Sequence, residues 1–239
     1  MHENMKKTAV LFDFGNTLAH YFKSRIPISI LEKNIDEVKN YLNSLNLLNI
    51  SRDVIWQNVK NEGIEAKDHR VRPMADRLCR IFKIKVSDLP AGGDIEICRR
   101  FMSPIFKMGK CYDDTIPTLC MLKERGIKTA IVSNAPWGCP AQICREEVAR
   151  VNLVHLMDDI IFCTDVGWRK PARQIFEYAL NRLQETPKHC LFVGDHPEWD
   201  FEGPRSIGMD AVLVDRSGTR RIPDEYILNS LGDIRKWIG

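Results

Sequence analysis

The sequence predicts an α/β fold: a doubly wound parallel sheet with helices on both faces and a separate helical insert. Short apolar runs that end in polar residues recur along the chain, and helical patterns lie between them. This alternation is typical of doubly wound sheets. Residues 13–127 separate the first run from the second, far more than one crossover helix needs. The excess predicts an inserted module.

Five continuous apolar runs are predicted to be strands. A short run without alternation suits a parallel strand that is buried on both faces. The five runs are 8–12, 128–132, 159–163, 190–193 and 210–214.

Two helices of the core are readable from their apolar spacing. Residues 115–125 carry apolar side chains three and four positions apart and stop at Gly126, a common helix-ending residue. Residues 172–183 follow Pro171 and show the same spacing. Both segments therefore predict amphipathic helices that pack on the sheet.

The insert also shows helical periodicity throughout. Apolar residues recur at helical spacing over 28–45, 54–59, 74–82 and 97–105, so the insert predicts a small helical bundle. We assign 1–19 and 112–239 to the α/β core and 20–111 to the helical domain.

Composition limits the classes of function. Of the 239 residues, 44% are hydrophobic and 28% are charged, which is ordinary for a globular protein. The net charge of +3 suits a small anionic substrate, and no dense Lys/Arg block suggests nucleic acid. We expect no membrane association, because no apolar run is long enough to span a bilayer.

The N-terminus and the cysteines indicate the compartment. No apolar segment of signal-peptide type precedes the first strand, so we expect a cytoplasmic protein. The eight cysteines show no regular framework and predict buried free thiols. We expect a monomer or a homodimer, between which the sequence does not decide.

Polar residues follow the predicted strands at the edge where parallel sheets bind ligands. Asp13, Ser133 with Asn134, and Asp195 would collect there, together with Lys170 from a neighbouring loop. Carboxylates can hold Mg²⁺, and the lysine and hydroxyl can neutralise and orient phosphate oxygens. An aspartate can also attack phosphorus directly. The set predicts a site for phosphoryl chemistry.

The motifs together resemble the haloacid dehalogenase-like hydrolase superfamily, whose core is Rossmann-like and whose C1-type members carry a helical cap at the position of this insert. The four motif regions, in chain order, are Asp13-Phe14-Gly15-Asn16-Thr17, Ser133-Asn134, Lys170-Pro171 and Gly194-Asp195-His196-Pro197-Glu198-Trp199-Asp200. Each is weak alone, but all four in order form a strong combined signal.

The resemblance implies roles for these residues. Asp13 would be the nucleophile and a metal ligand, and the Gly15 carbonyl and Asp195 would also bind Mg²⁺. Ser133 would bind phosphate with Asn134 near it. Lys170 would steady the nucleophile and the transferring group. Asp200 would be part of the metal site and would support the metal or Lys170. The implied substrate is a small phosphorylated metabolite, hydrolysed through an aspartyl-phosphate on Asp13.

Gly15 departs from the pattern of the family's phosphatases, which place an acid/base aspartate two residues after the nucleophile. Loss of a general acid/base typically costs about 10²–10⁴ in rate. The substrate could have a good leaving group, such as an acyl phosphate. A histidine, for which His20, His69 and His196 are candidates, could supply the proton. The protein could also bind a phosphorylated ligand and turn it over poorly.

Gly15 also leaves hydrolysis of another bond open. Members that cleave carbon–halogen bonds lack the aspartate but do not use the metal-binding Gly-Asp of the fourth motif. Phosphonate hydrolases lack it and use a cap lysine, for which Lys60 and Lys67 are candidates. Asp195 and Asp200 favour phosphoryl chemistry over carbon–halogen cleavage.

Three tryptophans fall in loops at the predicted rim, where packing is the more common role of tryptophan: Trp137, Trp168 and Trp199.

Overall fold

A computed structural model of the protein describes residues 6–21, 27–62, 67–216, 218 and 222–239. Within these residues the chain forms eight strands. The strands are β1 (Ala9–Phe12), β2 (Ala19–His20), β3 (Lys110–Cys111), β4 (Lys128–Ser133), β5 (Asp159–Phe162), β6 (Cys190–Gly194), β7 (Asp210–Val214) and β8 (Ile227–Leu228).

Six of the strands form one parallel sheet in the order β5-β4-β1-β6-β7-β8. β1 is central: Phe12 pairs with Ile131 of β4 on one side and with Val193 of β6 on the other. The side chains of β1 and β6 are buried throughout, as continuous apolar runs predict for strands covered on both faces. The order places the ends of β4, β1 and β6 side by side.

The described helices lie in the long insert and on the faces of the sheet. They are α1 (Ile28–Ser44), α2 (Arg52–Glu62), α3 (Met74–Phe82), α4 (Gly93–Phe106), α5 (Thr115–Glu124), α6 (Ala141–Arg150), α7 (Cys163–Val166), α8 (Arg173–Leu183), α9 (Gly203–Arg205) and α10 (Arg235–Ile238). A π-helical turn, Pro197–Glu202, follows β6 and carries the end of the fourth motif.

The first four helices form the insert, since α1–α4 lie in sequence between β2 and β3. These two short strands pair antiparallel at the base of the insert, with Ala19 opposite Cys111. Buried apolar side chains of all four helices contribute to the hydrophobic core. The predicted α/β architecture with a helical insert is confirmed, whereas the exact domain bounds stay a prediction.

Most element ends lie within one residue of the prediction. The helix predicted over 115–125 ends at Glu124, and Gly126 follows with a φ of 67°. Glycine adopts this left-handed conformation without the steric cost that other residues meet. The strand predicted over 159–163 ends at Phe162, because Cys163 begins α7.

The apolar character of the helices agrees with a buried core. In the described part of the chain, no helix combines the length and apolar composition needed to cross a membrane.

All eight cysteines are free, and six of them are buried. Their state matches the thiols predicted from the sequence.

Candidate active site

Three neighbouring strands deliver polar side chains to one edge of the sheet. Asp13 follows β1, and its backbone N–H donates to the carbonyl of Val193 at 2.9 Å, so the strand pairing continues to this residue. Ser133 is the last residue of β4. Asp195 directly follows β6. The strand order reverses at β1: β4 and β5 lie on one side of it, and β6 to β8 lie on the other. Open α/β sheets bind ligands at such a reversal.

Asp13 is held by side chains from two other segments. Its Oδ1 accepts hydrogen bonds from Ser133 Oγ at 2.9 Å and from Lys170 Nζ at 2.7 Å. Its Oδ2 has a longer contact, 3.5 Å from Thr17 Oγ1. The carboxylate is therefore fixed through one oxygen, while the other is more weakly engaged.

Lys170 is buried between two carboxylates. Its Nζ lies 2.7 Å from Asp13 Oδ1 and 2.6 Å from Asp200 Oδ1, and the residue is 1% exposed. Burial disfavours the charged ammonium, but the charges of Asp13 and Asp200 outweigh it and raise the pKa of Lys170. Lys170 therefore stays cationic and neutralises part of the negative charge.

Asp200 uses both of its oxygens inside the protein. Oδ1 accepts from Lys170, and Oδ2 accepts from the backbone N–H groups of Asp195 at 3.1 Å and His196 at 3.0 Å. Gly194 allows this approach, because a Cβ at that position would overlap the Asp200 side chain. Asp200 thus orients both Lys170 and the loop that carries Asp195.

The donor set fits a hard divalent cation. Asp13, Asp195 and Asp200 each place a carboxylate oxygen within 4.8 Å of the others. Oxygen ligands on converging carboxylates are those that Mg²⁺ prefers. Asp13 and Asp195 are the ligands that this geometry favours. Both oxygens of Asp200 accept hydrogen bonds of 2.6–3.1 Å, whereas among the described residues Asp13 Oδ2 has only the 3.5 Å contact with Thr17. Direct ligation by Asp200 or by the Gly15 carbonyl stays a prediction.

The electrostatics of Asp195 also favour a cation. Burial, followed by the negative charges of Asp13 and Asp200, raises the pKa of Asp195 to about 7. A hydrogen bond with Asn16 and the charge of Lys170 act in the opposite direction. A positive ion beside these carboxylates would relieve the repulsion that raises the pKa.

This raised pKa predicts how stability depends on pH when metal is removed. An aspartate in an unfolded chain titrates near pKa ~3.9, so the folded state binds the Asp195 proton more tightly. The resulting stabilisation is fully present below about pH 4 and is lost as pH rises through about 7. We expect the melting temperature in EDTA to fall more steeply between pH 5 and 8 in the wild type than in Asp195→Asn.

Calorimetric melting in EDTA across this pH range measures the effect. Asp36→Asn, at an exposed position on α1, is the matched control and should keep the wild-type pH dependence. Equal pH dependence in Asp195→Asn and the wild type would contradict the assignment.

A cavity of about 390 Å³ lies above these groups. Asp13, Asp195 and Asp200 line one part of it. Apolar side chains of the insert, Met102, Ile105 and Phe106 of α4, line another. The volume is at the small end of the range for ligand pockets, so the cavity suits a compact molecule.

Asn134 contacts the backbone of Lys170 from both sides. Its Oδ1 accepts from the Lys170 N–H at 2.8 Å, and its Nδ2 donates to the Lys170 carbonyl at 3.2 Å. Asn134 also lines the cavity. Phosphate binding by Ser133 and Asn134 stays a prediction, and the contacts show Asn134 positioning the lysine backbone.

Of the candidate proton donors, His196 lines the cavity. Its ring stacks on Trp199 with centroids 3.9 Å apart, and its Nδ1 accepts from the Trp199 N–H at 3.3 Å. His20 packs on Tyr112, and the His69 carbonyl accepts from the N–H of Arg169. The described cavity-lining residues include neither His20 nor His69.

The candidate tryptophans and cap lysines also differ in whether they line the cavity. Trp199 lines the cavity, whereas Trp137 packs on Phe101 and Trp168 stacks under Arg70. Lys60 and Lys67 are exposed, and the described lining residues do not include them.

The sequence analysis missed three polar residues of the site. Asn16, which hydrogen-bonds Asp195, lay inside the first motif without a role. Tyr21 and Glu147 line the cavity and contact each other, with the Tyr21 hydroxyl donating to Glu147 Oε1 at 3.0 Å. Their sequence separation of 126 residues left no local signal for the pair.

Comparisons with known proteins agree with this geometry. The model of the haloacid dehalogenase-like hydrolases matches residues 7–208. The phosphoserine phosphatase of Thermus thermophilus is 27% identical over 187 residues, which are 77% of this chain and 72% of that protein. (S)-2-haloacid dehalogenase 1 of a Pseudomonas species is 28% identical over 127 residues, 52% of this chain and 54% of the relative.

Among solved structures, the HAD phosphatase of Thermococcus onnurineus superposes with a TM-score of 0.68 at 26% identity. The alignment covers 97% of this chain and 98% of that one. The chain spans about half the length of several other curated relatives. The family model, the full-length structural match and the convergence of the four motifs at one site agree: the chain belongs to the haloacid dehalogenase-like hydrolase family.

Proposed function

We propose that this hydrolase is a Mg²⁺-dependent phosphatase that acts on a small phosphorylated metabolite through an aspartyl-phosphate on Asp13. The observation that carries the proposal is the position of the Asp13 carboxylate. It lies at the wall of a compact cavity, fixed by Ser133 and Lys170 and beside the carboxylates of Asp195 and Asp200. Named phosphatases among the relatives support the same reaction class.

In the first step, an Asp13 oxygen forms a bond to phosphorus, and the bond between phosphorus and the leaving oxygen breaks. The leaving oxygen takes the electron pair of that bond. Ser133 and Lys170 hold the attacking carboxylate in place, so little orientational freedom is lost at the moment of reaction. Lys170 also provides a fixed positive charge near the transferring group.

Mg²⁺ held by Asp13 and Asp195 would neutralise phosphate oxygens and so lower the repulsion between the anionic substrate and the carboxylates. Asp200 contributes indirectly, because it fixes the backbone of the Asp195 loop.

In the second step, water attacks the phosphorus of the aspartyl-phosphate. The bond between phosphorus and Asp13 breaks, the carboxylate is restored and inorganic phosphate leaves. A proton must leave the attacking water, and an alkoxide leaving group must have gained one in the first step. Gly15 provides no side chain for either transfer. An acyl phosphate avoids the need to protonate the leaving group, because a carboxylate leaves without a proton.

The metal requirement tests this proposal. Phosphate release from acetyl phosphate and p-nitrophenyl phosphate should appear with Mg²⁺, disappear in excess EDTA and return when Mg²⁺ is restored. A colorimetric phosphate assay measures it, with circular dichroism as the control that EDTA leaves the fold intact. Turnover that is equal with and without EDTA would contradict the proposal.

Gly15 and the apolar part of the cavity wall favour a second candidate, hydrolysis of a carbon–halogen bond. In that reaction Asp13 would attack carbon and halide would leave without a proton. Halide release from a short 2-haloacid that persists in EDTA would support this candidate. The cluster of three carboxylates is suited to a metal ion, which carbon–halogen cleavage does not need, so this candidate is the weaker of the two.

Two further readings are weaker still. Phosphonate hydrolysis needs a cap lysine at the substrate, and Lys60 and Lys67 are exposed side chains of the insert. A phospho-ligand-binding protein would show ligand-dependent stabilisation without turnover, and substantial turnover in a broad substrate screen would remove that reading.

A further inference from the structure

A polar pair interrupts the apolar part of the cavity wall. Glu147 of α6 and Tyr21, which follows β2, both line the cavity. Glu147 is 2% exposed, and a buried carboxylate needs partners that compensate for its lost hydration. The surrounding wall is formed by Met102, Ile105 and Phe106, so the pair is a localised polar patch.

Arg150 compensates the Glu147 charge. Its Nε donates to Glu147 Oε2 at 2.6 Å, and its Nη2 donates to Oε1 at 2.7 Å. The same Nη2 donates to the carbonyl of Gly109, just before β3, at 2.7 Å. The carboxylate is therefore rigidly held by a bidentate ion pair.

Tyr21 completes the arrangement. Its hydroxyl donates to Glu147 Oε1 at 3.0 Å, and its ring packs against Phe14 and Phe106 with centroids 6.2 Å apart in each case. Burial and the Glu147 charge raise the pKa of Tyr21, so the phenol keeps its proton and donates a hydrogen bond to the carboxylate.

The remaining hydrogen-bonding capacity of the pair is that of an acceptor only. An ionised carboxylate has no donor and about four acceptor positions. Oε1 accepts from Tyr21 and Arg150, and Oε2 accepts from Arg150, which leaves acceptor capacity on Oε2. The Tyr21 hydroxyl uses its one O–H group in the hydrogen bond to Glu147 and keeps acceptor lone pairs. The pair can accept further hydrogen bonds and has none left to donate.

From this arrangement we propose that Glu147 and Tyr21 determine specificity by recognising a hydrogen-bond donor, a hydroxyl or an ammonium group, on the organic part of the substrate. The proposal rests on the proposed phosphatase function, because the phosphate is taken to lie at Asp13. A carboxylate or a carbonyl facing this pair would leave acceptor opposed to acceptor in a buried wall, which is unfavourable. The apolar α4 side chains would contact the carbon skeleton.

Binding of alkylphosphonates to the full chain in Mg²⁺ tests the proposal without turnover, because their carbon–phosphorus bond replaces the ester bond. Isothermal titration would compare ω-hydroxyalkyl-, ω-aminoalkyl- and unsubstituted alkylphosphonates of equal heavy-atom number, with two to four carbons between the groups. At the length that reaches the pair, the hydroxyl or amino compound should bind about fivefold to tenfold more tightly than its methyl isostere. The tighter of the two identifies the donor as hydroxyl or ammonium.

Two variants assign the preference to the pair. Glu147→Gln replaces an acceptor oxygen by a donor amide, and Tyr21→Phe deletes the hydroxyl while keeping the ring. Both should move the affinity ratio toward one, and Glu147→Gln should do so more strongly. Tyr178→Phe, at an exposed position on α8, is the matched control and should keep the wild-type ratio. A ratio of affinities is independent of the folded fraction, so partial misfolding of a variant does not change it.

Three results would overturn the specificity proposal: equal wild-type affinities at every length, ratios unchanged in both variants, or no binding of any phosphonate. The phosphatase proposal has its own test, Mg²⁺-dependent phosphate release from acetyl phosphate. The two can therefore fail separately.

Discussion

Asp13→Asn should abolish phosphate release, with a rate loss on the order of 10⁶, as removal of an enzyme nucleophile can cause. The asparagine amide is a poor nucleophile and cannot form the aspartyl-phosphate. Its carbonyl oxygen can still accept hydrogen bonds from Ser133 and Lys170, the two donors that hold Asp13 Oδ1. A phosphate-release assay with saturating Mg²⁺ measures the loss.

Stability separates a chemical effect from a folding defect. The substitution removes one of three clustered carboxylates, and Asp200 still pairs with Lys170 at 2.6 Å. We therefore expect the melting temperature of Asp13→Asn in EDTA to equal or exceed that of the wild type, with activity absent. Turnover that is undiminished in the folded variant would remove Asp13 as the nucleophile.

Gly15→Asp should raise the rate on alkyl phosphates by about 10²–10⁴, the usual contribution of a positioned general acid/base. Gly15 lines the cavity, and a Cβ built on it meets no atom within 4 Å. The first atom of a side chain therefore has open space at this position. The gain should be small on acetyl phosphate, whose leaving carboxylate needs no proton. Comparing kcat/KM for an alkyl phosphate and acetyl phosphate measures both effects.

Gly15→Asn is the matched control for this gain, because asparagine has the size of aspartate but no carboxyl proton to transfer. A gain in Gly15→Asp alone would identify proton transfer as the limitation that the glycine imposes. If the aspartate and asparagine variants had equal activity on alkyl phosphates, leaving-group protonation would not limit the natural enzyme.

Polar residues at strand ends explain why much of the site was predictable. Asp13, Ser133 and Asp195 each terminate or follow a continuous apolar run, and parallel strands carry such ends to one edge. Lys170 was predicted to join them from a neighbouring loop, and the structure brings its Nζ to 2.7 Å from Asp13 Oδ1. The family prediction, confirmed by the comparisons, rested on these same residues.

Very short strands and contacts between distant segments could not be predicted from the sequence pattern. The two-residue strands β2, β3 and β8 are too short to show a period, and their pairing depends on what lies beside them. Asn134 was expected near phosphate, whereas its two contacts with the Lys170 backbone arise only when β4 and the loop before α8 come together.

The sequence by itself determined the alternation of buried strands and helices, the helical insert and the candidate residues at the strand ends, because those properties are local in the chain. Tertiary structure decided the strand order, the shape of the cavity and its polar wall. Glu147 has the local appearance of an ordinary acidic residue on a helix, and Tyr21 that of a loop aromatic. Folding buries them against each other, and burial turns an ordinary carboxylate into an oriented group at the cavity.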